Sequence, residues 1–296
     1  MNYYEDIKNR LIDNEIYSKV KDYSKERNKV ITYYEVGRIL SEAGKHYGED
    51  IIGKYADKLK EEVNKKYNKT TLFRMRQLYY TFNNKKVAPV VQQLSWSQCL
   101  LLIPLKDENK INYYINQVLK RNLSKRQLQE IIKNKEYERL DEETKKKLVS
   151  NNKVSVTDLV KNPILIKNKY NTDDISEKVL QRIILEDIES FMKELGNGYS
   201  FIGSEYQIKM GNRYNYIDLL LFNYEYNCFV VIELKVTELK KEHIGQIEIY
   251  MNYIDTNLRS INQNNTIGII ICRKDNKYVI EYCSDYRVIS REYELV

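Results

Sequence analysis

The chain has 296 residues, 42% of them hydrophobic, and a formal net charge of +7. That length suggests about two domains; no run of eighteen apolar residues offers a membrane span, and the polar start MNYYEDIKNR does not read as a secretory signal. Four cysteines without CxxC spacing and only two histidines, His46 and His243, exclude a His-rich zinc site and leave a Ser-His-Asp triad poorly supplied, so a reducing cytoplasm and oxygen ligands for any metal are expected.

Residues 1–150 read as helical. ITYYEVGRILSEAG carries apolar residues at helical spacing with Gly44 as its stop, and Ile51 to Val63 places Ile52, Tyr55, Ala56, Leu59 and Val63 on one stripe. After a break at Tyr67–Asn68–Lys69, Thr70 or Thr71 caps a helix through Phe82 with Leu72, Met75, Tyr79 and Phe82 inward, a pair resembling a helix-turn-helix unit as much as a plain helical hairpin. LSWSQCLLLIP, with the single tryptophan, reads as a core anchor; helices follow near 107–121, 124–133 and 141–149. Charge is unevenly spread: residues 1–168 hold 34 basic against 22 acidic side chains (+12), residues 169–296 hold 15 against 20 (−5). No acid falls between Glu62 and Asp107, while Lys65, Lys66, Lys69, Arg74, Arg76, Lys85, Lys86 and Lys106 all do. This gap suggests a phosphate-facing surface, ordinary solvated lysines being the alternative.

Residues 151–172, mixing Asn, Lys, Val and Asp around Pro163, read as a linker, and 173–296 as a second domain. Leu180, Ile183, Ile184, Ile188, Phe191, Met192 and Leu195 predict one amphipathic helix stopping near Gly196. Strands are expected in YSFIGSEYQIKM, NYIDLLLF, CFVVIELKV, TIGIIICR and YRVISREYEL, with a helix over Lys241–Leu258. The order implies an α/β layer structure whose sheet is covered on both faces.

Asp218 in YIDLLLF, and Glu233 and Lys235 in VVIELKV, place charge inside strands, where a lone carboxylate costs roughly several kcal/mol unless it is paired or binds a metal. With Tyr224–Tyr226 as the turn, position 218 lies opposite about 232, which brings Asp218 near Glu233, while Glu233 and Lys235 share a face. Phosphodiester hydrolysis needs these parts. One or two Mg²⁺ or Mn²⁺ ions, held by Asp218, Glu233 and the Leu234 carbonyl, would neutralise the phosphate; Lys235 would orient or help deprotonate the attacking water. Gln246 and Tyr250, four apart on the next helix, would support the site. The plainer alternative is a buried salt bridge from Lys235 to either carboxylate.

The spacing of Asp218, Glu233 and Lys235 resembles the PD-(D/E)XK nuclease signature, and nearly the whole chain resembles the YhcG family within that superfamily. YYEVGRIL, TTLFRMRQLYYTF, QLSWSQCLLLIPLKD, ELGNGYSFIG, YIDLLLF, VVIELKV, IGQIEIYMNYID and IGIIIC carry the likeness. The resemblance implies a restriction-endonuclease-like C-terminal domain with a central mixed sheet behind an all-α N-terminal domain. It implies Asp218, Glu233 and Lys235 as the catalytic signature, Gln246 as the helix glutamine, and a glutamate on the preceding helix, best matched by Glu189, as a further metal ligand. It implies a metal-dependent nuclease acting on DNA more than RNA, with a homodimer expected if both strands of a duplex are cut. The rival reading is a catalytically silent nucleic-acid-binding or dimerising adaptor.

Overall fold

The computed structural model describes residues 2–19, 25–48, 50–83, 92–170, 175–281, 283 and 285–296. It divides into two compact units, residues 1–137 and 138–296. No described helix is long and apolar enough to cross a membrane.

The described part of the first unit is helical: α1 (Tyr3–Lys19), α2 (Lys25–Tyr47), α3 (Ile51–Glu62), α4 (Lys69–Phe82), α5 (Trp96–Leu102), α6 (Glu108–Arg121) and α7 (Lys125–Lys133). Gly44 does not stop α2. It is buried within the helix, which runs three residues further because packing there offsets the weak helix propensity of glycine. The fourth helix starts earlier than its threonines suggested, because the Asn68 side chain accepts from the Thr71 N–H at 3.0 Å and caps Lys69 onward. Helices α2 and α4 touch at backbone distance: a Cβ on Gly37 would lie 2.1 Å from the Met75 carbonyl oxygen. Trp96 meets the buried Tyr33 edge-on at 5.0 Å but is itself half-buried, at the rim of the core rather than within it.

The second unit contains α8 (Glu142–Val149), β1 (Ile164–Ile166), α9 (Glu177–Glu186), α10 (Ile188–Leu195), β2 (Tyr199–Met210), β3 (Arg213–Asn223), β4 (Cys228–Glu238), α11 (Lys241–Asn257), β5 (Ile267–Lys274), α12 (Lys277–Glu281) and β6 (Val288–Leu295). One six-stranded mixed sheet runs β1-β6-β5-β4-β3-β2, antiparallel among β2, β3 and β4 and parallel from β4 through β1. Two expectations are corrected. The segment 151–172 is more than a linker, since Ile164–Ile166 adds a parallel edge strand against Tyr293–Leu295, and α8 also lies in this unit. The helix predicted from 176 to 195 is two helices, broken at Asp187 (φ −137°, ψ 53°), whose carboxylate caps α10 through the Ser190 N–H at 3.2 Å.

Alternation along β3 and β4 builds two cores. Leu219, Leu221, Val230, Ile232 and Leu234 pack with Leu180, Ile183, Ile184 and Phe191 of α9 and α10. Leu220 and Val231 pack with Ile244, Ile247, Met251 and Ile254 of α11. Gly268 lets α11 lie flat on β5: an added Cβ would stand 2.6 Å from Met251 Sδ and 2.8 Å from Ile247 Cδ1. Gly268→Ala should therefore lower stability by about 1–3 kcal/mol through overpacking. A chemical-denaturation midpoint unchanged from wild type would show that α11 is not held at that distance.

Candidate active site

Strands β3 and β4 pair from Asn223↔Cys228 back to Leu219↔Ile232, and there the ladder ends. The register differs by one from the expected 218-to-232 pairing, because the turn holds four residues between Asn223 and Cys228. Past this point β3 stays with β2, from Tyr206↔Ile217 to Met210↔Arg213, while β4 continues with β5, from Glu233↔Ile270 to Lys235↔Cys272. The two strand pairs fork, and Asp218 and Glu233 stand at the vertex. Alternation breaks here as well: Ile217 belongs to the α11 core and Leu219, two residues on, to the α9 core. Across on β2, Glu205 adopts a φ of 45° between the paired residues Ser204 and Tyr206.

The fork frees the Leu234 N–H from a β3 partner, and Asp218 fills the role: its Oδ2 accepts that N–H at 2.8 Å. The Asp218 carbonyl in turn accepts from Gln181 Nε2 at 2.9 Å, which ties the bend in β3 to α9. Glu233 is 1% exposed; its Oε2 accepts from Lys235 Nζ at 3.3 Å, while its Oε1 is buried without a hydrogen-bond partner. Lys235 also lies 3.7 Å from Glu177 Oε2, in the first turn of α9. Asp218, Glu233 and Lys235, expected together, are thus brought together.

Electrostatics follow from this crowding. Burial, and next the neighbouring Asp218, push the Glu233 carboxyl up to about 8, against the pull of Lys235. Burial raises Asp218 too, with the carboxylates of Glu177 and Glu205 adding to it and the Leu234 N–H and Lys235 opposing. For Lys235, burial works to lower the value, but Glu233, Glu177 and Asp218 outweigh it and the group is raised. It therefore stands as an ammonium that orients and neutralises rather than as a ready proton acceptor.

Gln246 and Tyr250 bond each other, Gln246 Nε2 donating to the Tyr250 hydroxyl at 3.1 Å. Burial raises the Tyr250 hydroxyl, as do the charges of Glu233 and Asp218, so this pair borders the site from α11. His243 caps the same helix, its Nδ1 accepting from the Lys240 N–H at 3.2 Å; burial and then Lys235 lower its basicity. The helix glutamate expected at 189 is elsewhere: Glu189 is exposed and ion-paired with Lys193 one turn on. Glu177 reaches the site instead. Glu177 and Gln181 escaped the sequence reading, although their spacing of four on one helix face, beside a Ser176 cap, was an available signal.

Among the described residues no three His, Cys, Asp or Glu side chains gather as a metal cluster. The two-carboxylate site nevertheless fits a hard divalent cation. Glu233 Oε1 is orphaned, the buried Glu233 and half-buried Asp218 carboxylates repel each other, and such ions are commonly held by one or two carboxylates with water and substrate phosphate completing the shell.

The basic residues of the first unit divide. Lys65, Lys69 and Arg74 are exposed with no acidic partner among the described residues. Lys66 is ion-paired at 2.5 Å with Glu15 of α1, so the acid missing from the local sequence arrives from another helix. The Arg76 guanidinium lies over the rings of Phe73 (4.9 Å) and Tyr80 (5.8 Å). Lys85 and Lys86 lie outside the described residues.

Residues 157–293 match the family described as YhcG PDDEXK nuclease domain, and residues 12–139 match the DUF1016 N-terminal domain. The YhcG protein of Escherichia coli (strain K12) is 23% identical over 283 residues, covering 81% of this chain and 76% of that one. Solved structures similar to part of the chain include a repair endonuclease from Pyrococcus abyssi (16% identity, 42% of this chain and 49% of that one, TM-score 0.28) and an EndoMS–dsDNA2 complex (16%, 44% and 48%, TM-score 0.29). The chain spans about half the length of each of these structures. With the two models matched in order over most of its length, the chain carries a DUF1016 N-terminal domain followed by a YhcG PDDEXK nuclease domain, and Asp218, Glu233 and Lys235 lie at the strand fork of the latter.

Proposed function

We propose that the chain is a metal-dependent nuclease that hydrolyses phosphodiester bonds, of DNA in preference to RNA. The observation that carries this reading is the pair of carboxylates at the strand fork, Asp218 half-buried and Glu233 buried, with one Glu233 oxygen unpartnered and an ammonium at 3.3 Å from the other. Asp218, Glu233 and the Leu234 carbonyl would hold Mg²⁺ or Mn²⁺, which when bound supplies Lewis-acid neutralisation of the scissile phosphate. Glu177 is the further ligand the geometry favours over Glu189. Lys235, held between Glu233 and Glu177, orients the attacking water and offsets charge growing on the phosphate oxygens. Gln181 keeps the bend of β3 in place, so that Asp218 can hold Leu234 and present its other oxygen.

The reading is tested by incubating the full-length protein with single-stranded, duplex and branched DNA and with RNA, in Mg²⁺, Mn²⁺ or EDTA. Cleavage of DNA that needs the ion is expected; preferential cleavage of RNA would overturn the DNA preference, and cleavage in EDTA the metal requirement. Lys65, Lys69 and Arg74 are proposed to contact phosphate. Charge reversal at Arg74 should weaken binding and reduce the slope of log affinity against log salt by about 0.9 for a lost duplex phosphate contact, or about 0.7 for a single strand. An unchanged slope would remove Arg74 from the interface.

A further inference from the structure

Beyond the fork, β2 and β3 continue as a two-stranded ribbon whose faces differ. Ile208 and Ile217, with Tyr206 and Met210 beside them, turn toward α11 and its core. The opposite face carries Gln207 and Lys209 on β2 against Tyr216 and Tyr214 on β3, paired Gln207↔Tyr216 and Lys209↔Tyr214. Tyr214 is 56% exposed and Tyr216 53%, and the Lys209 ammonium stands 5.9 Å from the Tyr214 ring centroid. From Tyr206 to Ile217 the ribbon bears Lys209 and Arg213 and no acid.

We infer that Tyr214 and Tyr216 form a base-stacking platform that guides an unpaired strand of nucleic acid to Asp218. Two residues on one face of a strand are about 6.8 Å apart, so Tyr214 and Tyr216 stand side by side, and Tyr216 is two residues from Asp218, across the break in alternation. The rings thus make a short track beside the vertex of the fork. A duplex buries the π-faces of its bases, whereas an unpaired segment offers them, and stacking on aromatic side chains tolerates any sequence. Lys209, paired with Tyr214 on the same face, supplies positive charge for a phosphate backbone running along the track. The inference rests on the nuclease reading of the fork and narrows its substrate to nucleic acid unpaired beside the scissile phosphate, as single strands, flaps or gaps.

The test is binding of a fluorescein-labelled single-stranded DNA by the full-length protein in EDTA, where cleavage cannot contribute. The same measurement is made on a duplex of the same sequence. Tyr214→Ala and Tyr216→Ala should each weaken the single strand by about tenfold and leave the duplex unchanged, while Tyr214→Phe and Tyr216→Phe keep wild-type affinity. A single strand containing 2-aminopurine should lose fluorescence on binding wild type and the Phe variants, and not on binding the double Ala variant. Equal affinity of Ala and wild-type proteins for the single strand overturns the platform. So does a concentration-dependent dimer, seen by analytical ultracentrifugation, that the Ala variants abolish, since the rings would then face a second copy. An inactive wild type that still shows the Tyr-dependent binding would defeat the nuclease reading and spare the platform; active Ala variants with unchanged binding would do the reverse.

Discussion

Glu233→Gln should make the metal-free protein more stable at alkaline pH than the wild type. The Glu233 carboxyl stays protonated in the fold up to about 8, because of burial and then Asp218, whereas in the unfolded chain it ionises near its ordinary 4.5. Between those values the native state binds the extra proton. Stability contributed by that proton is full below about 4.5 and is lost as pH rises through about 8, on the order of 5 kcal/mol in all. Asp218, raised in the same direction, adds to the slope. Glutamine cannot ionise, and Lys235 keeps Glu177 and Asp218 as partners. Urea midpoints taken in EDTA from about pH 5 to 9 should fall for wild type and stay much flatter for the variant. Parallel curves would show that Glu233 is not buried beside a second carboxylate.

Lys235→Ala and Asp218→Asn should each reduce metal-dependent cleavage by on the order of 10³-fold, while nucleic-acid affinity in EDTA changes little. Asp218→Asn is the sharper test, because asparagine can still accept the Leu234 N–H and so keep the fork closed while removing the charge. A variant with near wild-type turnover would take that residue out of the chemistry. A loss of both activity and melting temperature would point to a structural role only.

Much of the second unit was legible because its signals are long. Eight to twelve residues of alternating or unbroken apolar character announce β2 to β6, and the i, i+3, i+7 stripe of Ile244, Ile247, Met251 and Ile254 announces α11. Asp218, Glu233 and Lys235 stood out since charge inside such runs demands a reason. What the sequence hid was short or depended on fold. Three residues of β1 show no period, and the break at Asp187 interrupts a stripe that reads as continuous. That break leaves Glu189 on a second, exposed helix, while Glu177, one residue after the Ser176 cap, is carried to Lys235. Lys66 looked unopposed because Glu15 is distant in sequence and near in space.

Joint ligation of a divalent ion by Asp218 and Glu233 is the step on which the proposed chemistry depends. Titrating Mn²⁺ into the metal-free protein calorimetrically, at about pH 7 and in two buffers of different ionisation heat, tests it most directly. Wild type should bind and release about one proton, since ligation must strip the proton that burial keeps on Glu233. Asp218→Asn should bind far more weakly. Binding without proton release, or binding that survives Asp218→Asn unchanged, would contradict joint ligation.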